Sequence, residues 1–200
     1  MLDNDNVKND AFVALKKVID AYSPISNETW AALKAICDFK YIEKNGILYP
    51  SGELPTSFSF VYTGLFRVFI TDAKGNEYNK LFFDEGTFPG AMTALLTATP
   101  SQLTIESLEP SSVIIINFKG FRNLLLKADD LKLFHIYYLE KTCLLAKDAR
   151  EVEIVQEDAT QRYARFLKEH SSICSRIPQY HIASHLGITP TQLSRIRKKS

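Results

Sequence analysis

The stretch Ile177–Lys199, IPQYHIASHLGITPTQLSRIRKK, predicts two short helices joined by a tight turn. Ile182, Ala183 and Leu186 give the first helix one apolar face. Gly187 follows Ala183 by four residues, where the chain has to leave the helix, and glycine readily adopts the positive φ of such a turn. The stretch therefore predicts a helix–turn–helix.

The second helix of this unit has its own start signal and its own buried positions. Thr189 is a typical N-cap residue and Pro190 a typical first-turn proline, so a new helix is expected to begin there. Ile188 fills the turn before it, and Leu193 and Ile196 are three residues apart on the buried side. The spacing thus leaves the opposite side of this helix for solvent or a partner.

The outward positions of the second helix carry hydrogen-bonding side chains first and cations last. This order suits base edges and then phosphates, which predicts DNA binding. The alternative is a helical hairpin that caps a core and ends in a basic tail. The predicted DNA-binding residues are Thr189, Thr191, Gln192, Ser194, Arg195, Arg197, Lys198 and Lys199.

Charge is distributed unevenly along the chain. Residues 161–200 carry a net charge of +7, whereas residues 1–160 carry −6. A basic end on an acidic body is expected when one module binds a polyanion. Because the positive charge coincides with the helix–turn–helix, it favours nucleic-acid binding over a solvated tail.

Composition limits the class of protein. Two hundred residues, 46% of them apolar, suffice for one large domain or two small ones. No apolar run approaches the length of a membrane span, and the acidic, polar N-terminus does not resemble a signal peptide. Three widely spaced cysteines, Cys37, Cys143 and Cys174, indicate reduced thiols. We therefore expect a cytoplasmic protein.

Helices open the chain and strands follow them. Apolar spacing predicts a helix over Asp10–Tyr22, and Ser26 is expected to cap a second helix that places Trp30 in the core. Many short strands at regular spacing then indicate a sandwich or barrel. The predicted strands are Phe58–Tyr62, Leu65–Thr71, Tyr78–Phe83, Leu103–Leu108 and Ser112–Phe118.

A short helix is predicted over Phe118–Ala128, and a long one over Asp129–Glu153, which contains no glycine or proline. Apolar residues at 3-4-3 spacing in the long helix are typical of the seam between paired helices. A helix that only lies across the barrel is the alternative, but two-fold pairing is the commonest assembly, so we expect a dimer. The predicted interface residues are Ile136, Leu139, Cys143 and Ala146.

This order of elements resembles the Crp/Fnr family of bacterial transcription regulators over nearly the whole chain. The most specific residues are Gly86-Thr87-Phe88-Pro89-Gly90, similar to the family's G-x-F-x-G barrel turn, and IASHLGITPTQLSRIRKK near the end. The resemblance implies an α+β fold. It comprises an antiparallel β-barrel of about eight strands (a double-stranded β-helix or jelly-roll of the cyclic-nucleotide-binding type), a long dimerisation helix and a winged-helix-like helix–turn–helix. The corresponding divisions are a sensor domain (1–128), the dimerisation helix (129–153) and a DNA-binding domain (154–200).

The chain departs from the family members that bind cyclic nucleotides. In those, Glu follows the barrel turn and a later Pro-Arg-Ser/Thr-Ala segment holds the phosphate, but here Ala91 and Pro100-Ser101-Gln102-Leu103 take these places. An anionic cyclic phosphate needs a charged partner, so we do not expect cAMP to bind. No cofactor is predicted, and the small-molecule effector stays unidentified. The implied effector pocket comprises Phe88, Gly90, Ala91, Met92, Ser101, Gln102 and Leu103.

The resemblance also implies partners: a second copy of the chain, double-stranded DNA with an inverted-repeat site, and RNA polymerase. A ligand-sensing barrel whose helix–turn–helix contacts another protein is the alternative function. Three scattered cysteines do not match the four-thiolate iron–sulfur site of the oxygen-sensing branch.

Enzyme classes find no support in the sequence. It has no glycine-rich phosphate loop, no G-x-S-x-G and no H-E-x-x-H, and residues 41–118 lack the histidines that a cupin-type metal enzyme would need. His181 and His185 have the i, i+4 spacing of a metal pair, but two surface histidines beside DNA are the better interpretation. We therefore predict a regulator and not an enzyme.

Overall fold

The computed structural model describes residues 2–145 and 157–198 of the 200-residue chain. Two helices begin it, α1 (Leu2–Tyr22) and α2 (Asn27–Lys34). Helix α1 starts well before the predicted Asp10, because residues 5–10 are exposed and carry no apolar period that would reveal them as helical. Ser26 caps α2 as predicted, its Oγ accepting a hydrogen bond from the Thr29 N–H.

Seven strands of the described chain form two antiparallel sheets that face each other. One has the order β1-β7-β3 and the other β2-β6-β4-β5, so the predicted jelly-roll-type sandwich is confirmed, with seven strands and not about eight in the part that is described. The strands are β1 (Cys37–Ile42), β2 (Ile47–Tyr49), β3 (Ser57–Thr63), β4 (Phe66–Thr71), β5 (Glu77–Phe83), β6 (Thr104–Ser107) and β7 (Ser111–Asn117).

Two apolar cores hold this half of the molecule together. The first lies between the sheets, where Val61, Phe66 and Ile105 are fully buried. The second lies between the three-stranded sheet and the helices, and joins Leu15 and Ile19 of α1 to the strands. Trp30 is partly buried against this second core, as a core position predicts.

Three further helices follow the strands or lie between them: α3 (Met92–Thr97), α4 (Phe118–Leu125) and α5 (Asp129–Leu139). The predicted long helix departs from regular α geometry at a π-helical turn, Glu140–Leu144, and its residues 146–153 lie outside the described part. Asp130, at the start of α5, accepts hydrogen bonds from the Ser26 N–H and the Thr29 hydroxyl. These bonds fix the start of α5 to the start of α2.

A third core contains the last helices, α6 (Ala159–Glu169), α7 (Gln179–Leu186) and α8 (Pro190–Arg197). Between residues 157 and 198 there is no strand, so this stretch contains no wing. Phe82 of β5 and Leu65 belong to the same core as Phe166 and Ile182. The helical module is therefore packed directly against the four-stranded sheet.

Within the described ranges, no helix is both long enough and apolar enough to cross a membrane.

Candidate functional site

Helices α7 and α8 form a helix–turn–helix. Gly187 ends α7 with a φ of 68°, and the Thr189 side chain begins α8 by accepting a hydrogen bond from the Gln192 N–H at 3.1 Å. The Gln192 Oε1 in turn accepts from the Thr189 N–H at 2.9 Å, which completes a capping box. The start of α8 is thus fixed by reciprocal hydrogen bonds as well as by Pro190.

The two sides of α8 differ sharply in exposure. Leu193 is 1% exposed and packs against α7, and Ile196 is partly buried beside it. Lys199 lies outside the described residues. The other residues predicted to bind DNA are all exposed: Thr189, Thr191, Gln192, Ser194, Arg195, Arg197 and Lys198.

Much of the positive charge in residues 161–200 serves the fold instead of the outer surface. Arg165 pairs with Glu157 and Glu169, and Arg162 donates to the Leu186 carbonyl at the end of α7. Arg176 pairs with carboxylates of the sandwich. The cations on the exposed side of α8 are therefore the part of this charge best placed for an external anion.

The prediction that His181 and His185 lie on the surface beside DNA is wrong. His181 is only 6% exposed, and His185 is partly buried with its ring 5.4 Å from the ring of Phe82. Both histidines face the four-stranded sheet, so the buried side of α7 includes them as well as Ile182, Ala183 and Leu186. No group of three or more His, Cys, Asp or Glu side chains suited to a metal ion occurs in the described ranges.

A buried polar cluster joins α7 to the four-stranded sheet. Asn79 donates from Nδ2 to Nδ1 of His181 at 3.0 Å, and its Oδ1 accepts from Arg67 at 3.3 Å. Arg67 is 6% exposed, pairs with Glu77 and Glu106, and stacks on the ring of Phe69. Such a buried cation requires these carboxylates, because an unpaired charge would be costly to bury.

The cluster also sets the protonation state of His181. Burial and the positive charge of Arg67 lower the pKa of His181 to about 4, although Glu77 opposes this change. Since Arg67 and the Asn79 amide both direct donors at Nδ1, that nitrogen accepts and the ring proton lies on Nε2. His181 is therefore a neutral structural residue.

A second contact between the modules involves Arg176, in the segment before α7. Its guanidinium binds Glu85 through two hydrogen bonds of 2.9 and 2.8 Å and also pairs with Glu109. Both carboxylates raise the pKa of Arg176. Glu85 also accepts from the Gly64 N–H, so this contact ties the connection between β3 and β4 to the helical module.

The barrel turn Gly86–Gly90 runs along strand β3. Val61 and Ser59 of β3 donate backbone hydrogen bonds to the carbonyls of Thr87 and Pro89. At Gly90, a Cβ would lie 2.7 Å from the Cβ of Phe58, so a larger residue would force the turn away from the strand. The glycine allows Phe88 to enter the interior.

A cavity of about 580 Å³ lies between the sandwich and helices α3, α4 and α5. Of the predicted effector-pocket residues, Phe88, Gly90, Met92 and Leu103 line it. Ala91 is buried at the start of α3, Ser101 bonds to the backbone of Leu103, and Gln102 is exposed. These three residues do not line the cavity. Ser101 instead lines a separate, smaller hollow of about 150 Å³.

Three of the predicted dimer residues are exposed on α5 and on the π-helical turn that follows it, and two of them, Leu139 and Cys143, also border the cavity. Leu131 and Phe134 are buried against the sandwich, whereas Ile136 is 47% exposed. Leu139 and Cys143 are also exposed, and Ala146 lies outside the described residues. Further exposed apolar residues extend this surface, which we call the seam stripe: Leu133, Ile136, Tyr137, Leu139, Leu144 and Leu145.

The sequence analysis missed the residues that join the modules. Arg67, Asn79 and Arg176 carry no motif, and their partners are far away in the chain. One usable signal existed: Arg67 is a charged residue within the mainly apolar strand β4, and a buried polar side chain is normally satisfied by specific partners.

Comparison with known proteins defines the class. Residues 39–128 match the cyclic nucleotide-binding domain family, and these residues include the sandwich, the barrel turn and α4. A search of curated proteins finds no match to the chain. The chain thus has a region similar to cyclic nucleotide-binding domains over residues 39–128, followed by a helix–turn–helix.

Solved structures extend the likeness beyond residues 39–128 to more than four fifths of the chain. FixK2 from Bradyrhizobium japonicum has a TM-score of 0.67 and 18% identity, covering 82% of this chain and 84% of that one. The c-di-GMP responsive global regulator CLP from Xanthomonas campestris has a TM-score of 0.67 and 15% identity, covering 87% and 91%. A putative transcriptional regulator of the Crp/Fnr family from Eubacterium rectale has a TM-score of 0.60 and 16% identity, covering 88% and 83%. The resemblance to Crp/Fnr transcriptional regulators is confirmed, and at these identities the structures show a shared fold.

Proposed function

We propose that the chain is a dimeric, sequence-specific DNA-binding transcriptional regulator that acts in the cytoplasm. The observation that carries this proposal is the exposed side of α8, where Thr191, Arg195 and Lys198 lie outward while Leu193 holds the helix in place. A helix of this kind can enter the major groove of DNA with its first turns against base edges.

The seam stripe supports the proposed dimer. A row of exposed apolar side chains on one helix is a costly surface to leave in water, and a second copy of the same helix would cover it along a two-fold axis. In this proposal, residues 1–128 are the sensor, residues 129–153 the dimer helix and residues 154–200 the DNA-binding module. RNA polymerase is the further partner that a regulator of this kind would contact.

The sensor of this proposal does not respond to cAMP. Most of the cavity lining is apolar or aromatic, and of the segment Pro100–Leu103, which takes the place of the family's phosphate-binding segment, only the apolar Leu103 lines the cavity. In cyclic-nucleotide binders of the family, an arginine of this segment holds the phosphate. Here Ser101 takes the place of that arginine, so the segment offers a cyclic phosphate no guanidinium.

The alternative, a helix–turn–helix that contacts a protein, is separated from DNA binding by one experiment. Purified protein is incubated with a random duplex library, and bound sequences are selected over several rounds and read. We expect enrichment of an inverted repeat whose half-sites lie one helical turn, about 34–36 Å, or a multiple of it apart. Failure to enrich any repeat, together with no measurable binding at low salt, would contradict the proposal.

A further inference from the structure

The cavity beneath the dimer helix differs from a nucleotide site in its walls. Most of its lining is aromatic or aliphatic, with Phe88 and Phe134 tilted against each other at a centroid distance of 6.2 Å. Its volume of about 580 Å³ is in the range of small-molecule sites, roughly 300–1,000 Å³. The aromatic part of the lining is Phe58, Phe83, Phe88, Phe118, Phe121, Phe134 and Tyr138.

The ionisable groups of this cavity are mainly basic. Lys80, Arg122 and His135 contribute to its lining, and no Asp or Glu side chain of the described chain does so. An apolar cavity with basic groups and without carboxylates favours an anion over a cation. Its walls also disfavour a ligand covered in hydroxyl groups, because buried hydroxyls without partners are costly.

Arg122 and His135 lie close to each other on the α4 and α5 sides of this cavity. Burial, with a smaller contribution from the positive charge of Arg122, lowers the pKa of His135, so its imidazole is neutral near pH 7. The His135 ring packs against that of Phe121 at 5.5 Å, edge to face. Arg122 is exposed, and its guanidinium places a positive charge at this side of the cavity.

We propose that the cavity binds an apolar carboxylic acid, with its carboxylate on the Arg122 guanidinium and its body among the rings of Phe58, Phe88 and Phe134. A guanidinium presents two parallel N–H groups that match a carboxylate, whereas the imidazole of His135 adds one neutral donor. The proposed function is needed only to call this ligand an effector; binding itself does not depend on it.

The position of the ligand would couple it to the dimer helix. Tyr138, Leu139 and Cys143 line the cavity, and the last two also belong to the predicted dimer interface. Cys143 lies in the π-helical turn Glu140–Leu144, and turns of this type are frequent at functional sites. An occupied cavity would therefore change the surface that the partner helix meets.

The test is isothermal titration calorimetry with matched pairs of ligands and no DNA. The probes are 1-naphthylacetate and decanoate, each against the carboxamide of the same body. We expect at least one carboxylate to bind the wild type ten-fold or more tightly than its amide. Arg122→Gln should lose that preference, while Lys119→Gln, the same charge change on the exposed side of α4, should keep it.

Location is tested by a second variant, Thr93→Trp, which adds bulk at an exposed position that lines the cavity. It should weaken the binding of carboxylate and amide alike. The proposal is overturned if neither carboxylate binds, if acid and amide bind equally, or if Arg122→Gln and Lys119→Gln behave alike. Because DNA is absent, a protein that binds these acids but selects no DNA repeat would contradict the proposed function alone.

Discussion

Asn79 on β5 donates two hydrogen bonds from one amide nitrogen to His181 on α7, to Nδ1 at 3.0 Å and to the backbone carbonyl at 3.1 Å. The amide thereby holds the first helix of the helix–turn–helix on the four-stranded sheet. Ser184, one turn further along α7, bonds to the backbone of Asn79 and Glu77. The sandwich and the helical module are therefore joined by specific polar contacts as well as by apolar packing.

Removing this amide should destabilise the protein. Asn79→Ala leaves Nδ1 of a buried imidazole without its nearest donor, and an unsatisfied buried group costs about 1–3 kcal/mol. We expect the free energy of unfolding in urea to fall by that amount. Asn123→Ala, the same truncation at an exposed site of α4, is the control and should change it by less than about 0.5 kcal/mol. Equal effects of the two changes would show that the contact between Asn79 and His181 does not contribute to the free energy of unfolding.

Acid should weaken the protein through His181. The folded pKa of about 4 lies below the unfolded value of about 6.5, so the unfolded chain binds the proton first as the pH falls. Stability from this group is therefore full above about pH 6.5 and is lost towards pH 4. Protonated His181 would also face Arg67, although Glu77 and Glu106 lie near that guanidinium.

The measurement is urea unfolding at pH 7 and pH 4.5 for the wild type and for His181→Asn. Asparagine keeps an acceptor near the position of Nδ1 but does not titrate. We expect the wild type to lose on the order of 2 kcal/mol more than the variant between these pH values. Identical losses would mean that His181 titrates normally in the folded protein.

The seam stripe predicts a dimer that one charge can separate. Ile136→Glu places like charges on both sides of a two-fold axis without altering the cavity lining, so we expect a folded monomer. Sizing by light scattering, with circular dichroism to confirm folding, measures this. Leu126→Glu introduces the same charge at an exposed residue outside the stripe and should leave the dimer intact. If the wild type is a monomer at tens of micromolar, the seam stripe is not a dimer interface.

Cyclic nucleotides should not bind. Ala91 is buried and Ser101 is bonded to the backbone of Leu103, so neither supplies the carboxylate or guanidinium that the family's nucleotide binders use. Calorimetry with cAMP and cGMP at millimolar concentration should give no saturable heat. A micromolar dissociation constant for either compound would contradict this.

Local sequence patterns predicted most of the helices and strands. They did not predict contacts between residues that are far apart in the chain. Thr189, Pro190 and Gly187 mark the limits of α7 and α8 through the conformations of single residues, which is why these boundaries could be read directly. The contact of Asn79 with His181 joins residues 102 apart in the chain, so no periodicity indicates it. For the same reason the cavity lining was only partly predicted, since Arg122 and His135 come from different helices.

One assignment within α8 was refined by the structure. Gln192 was predicted to meet base edges, but its Oε1 is bonded to Thr189 in the capping box. The amide nitrogen is then the group of the Gln192 side chain that is left to contact a base. Arg195 is therefore the stronger candidate for reading a base, and Lys198 for meeting a phosphate.

The central claim, that α8 reads DNA bases, is tested most directly by comparing Arg195→Ala with Lys198→Ala in selection from a random duplex library and in salt titrations. Arg195→Ala should relax the preference at one base step per half-site, a loss of roughly 1–3 kcal/mol of discrimination, with non-specific binding nearly unchanged. Lys198→Ala should weaken all sequences alike and reduce the slope of log K against log salt by about one per contact. If the wild type enriches no inverted repeat, or if both variants give the same pattern, the account of this helix is contradicted.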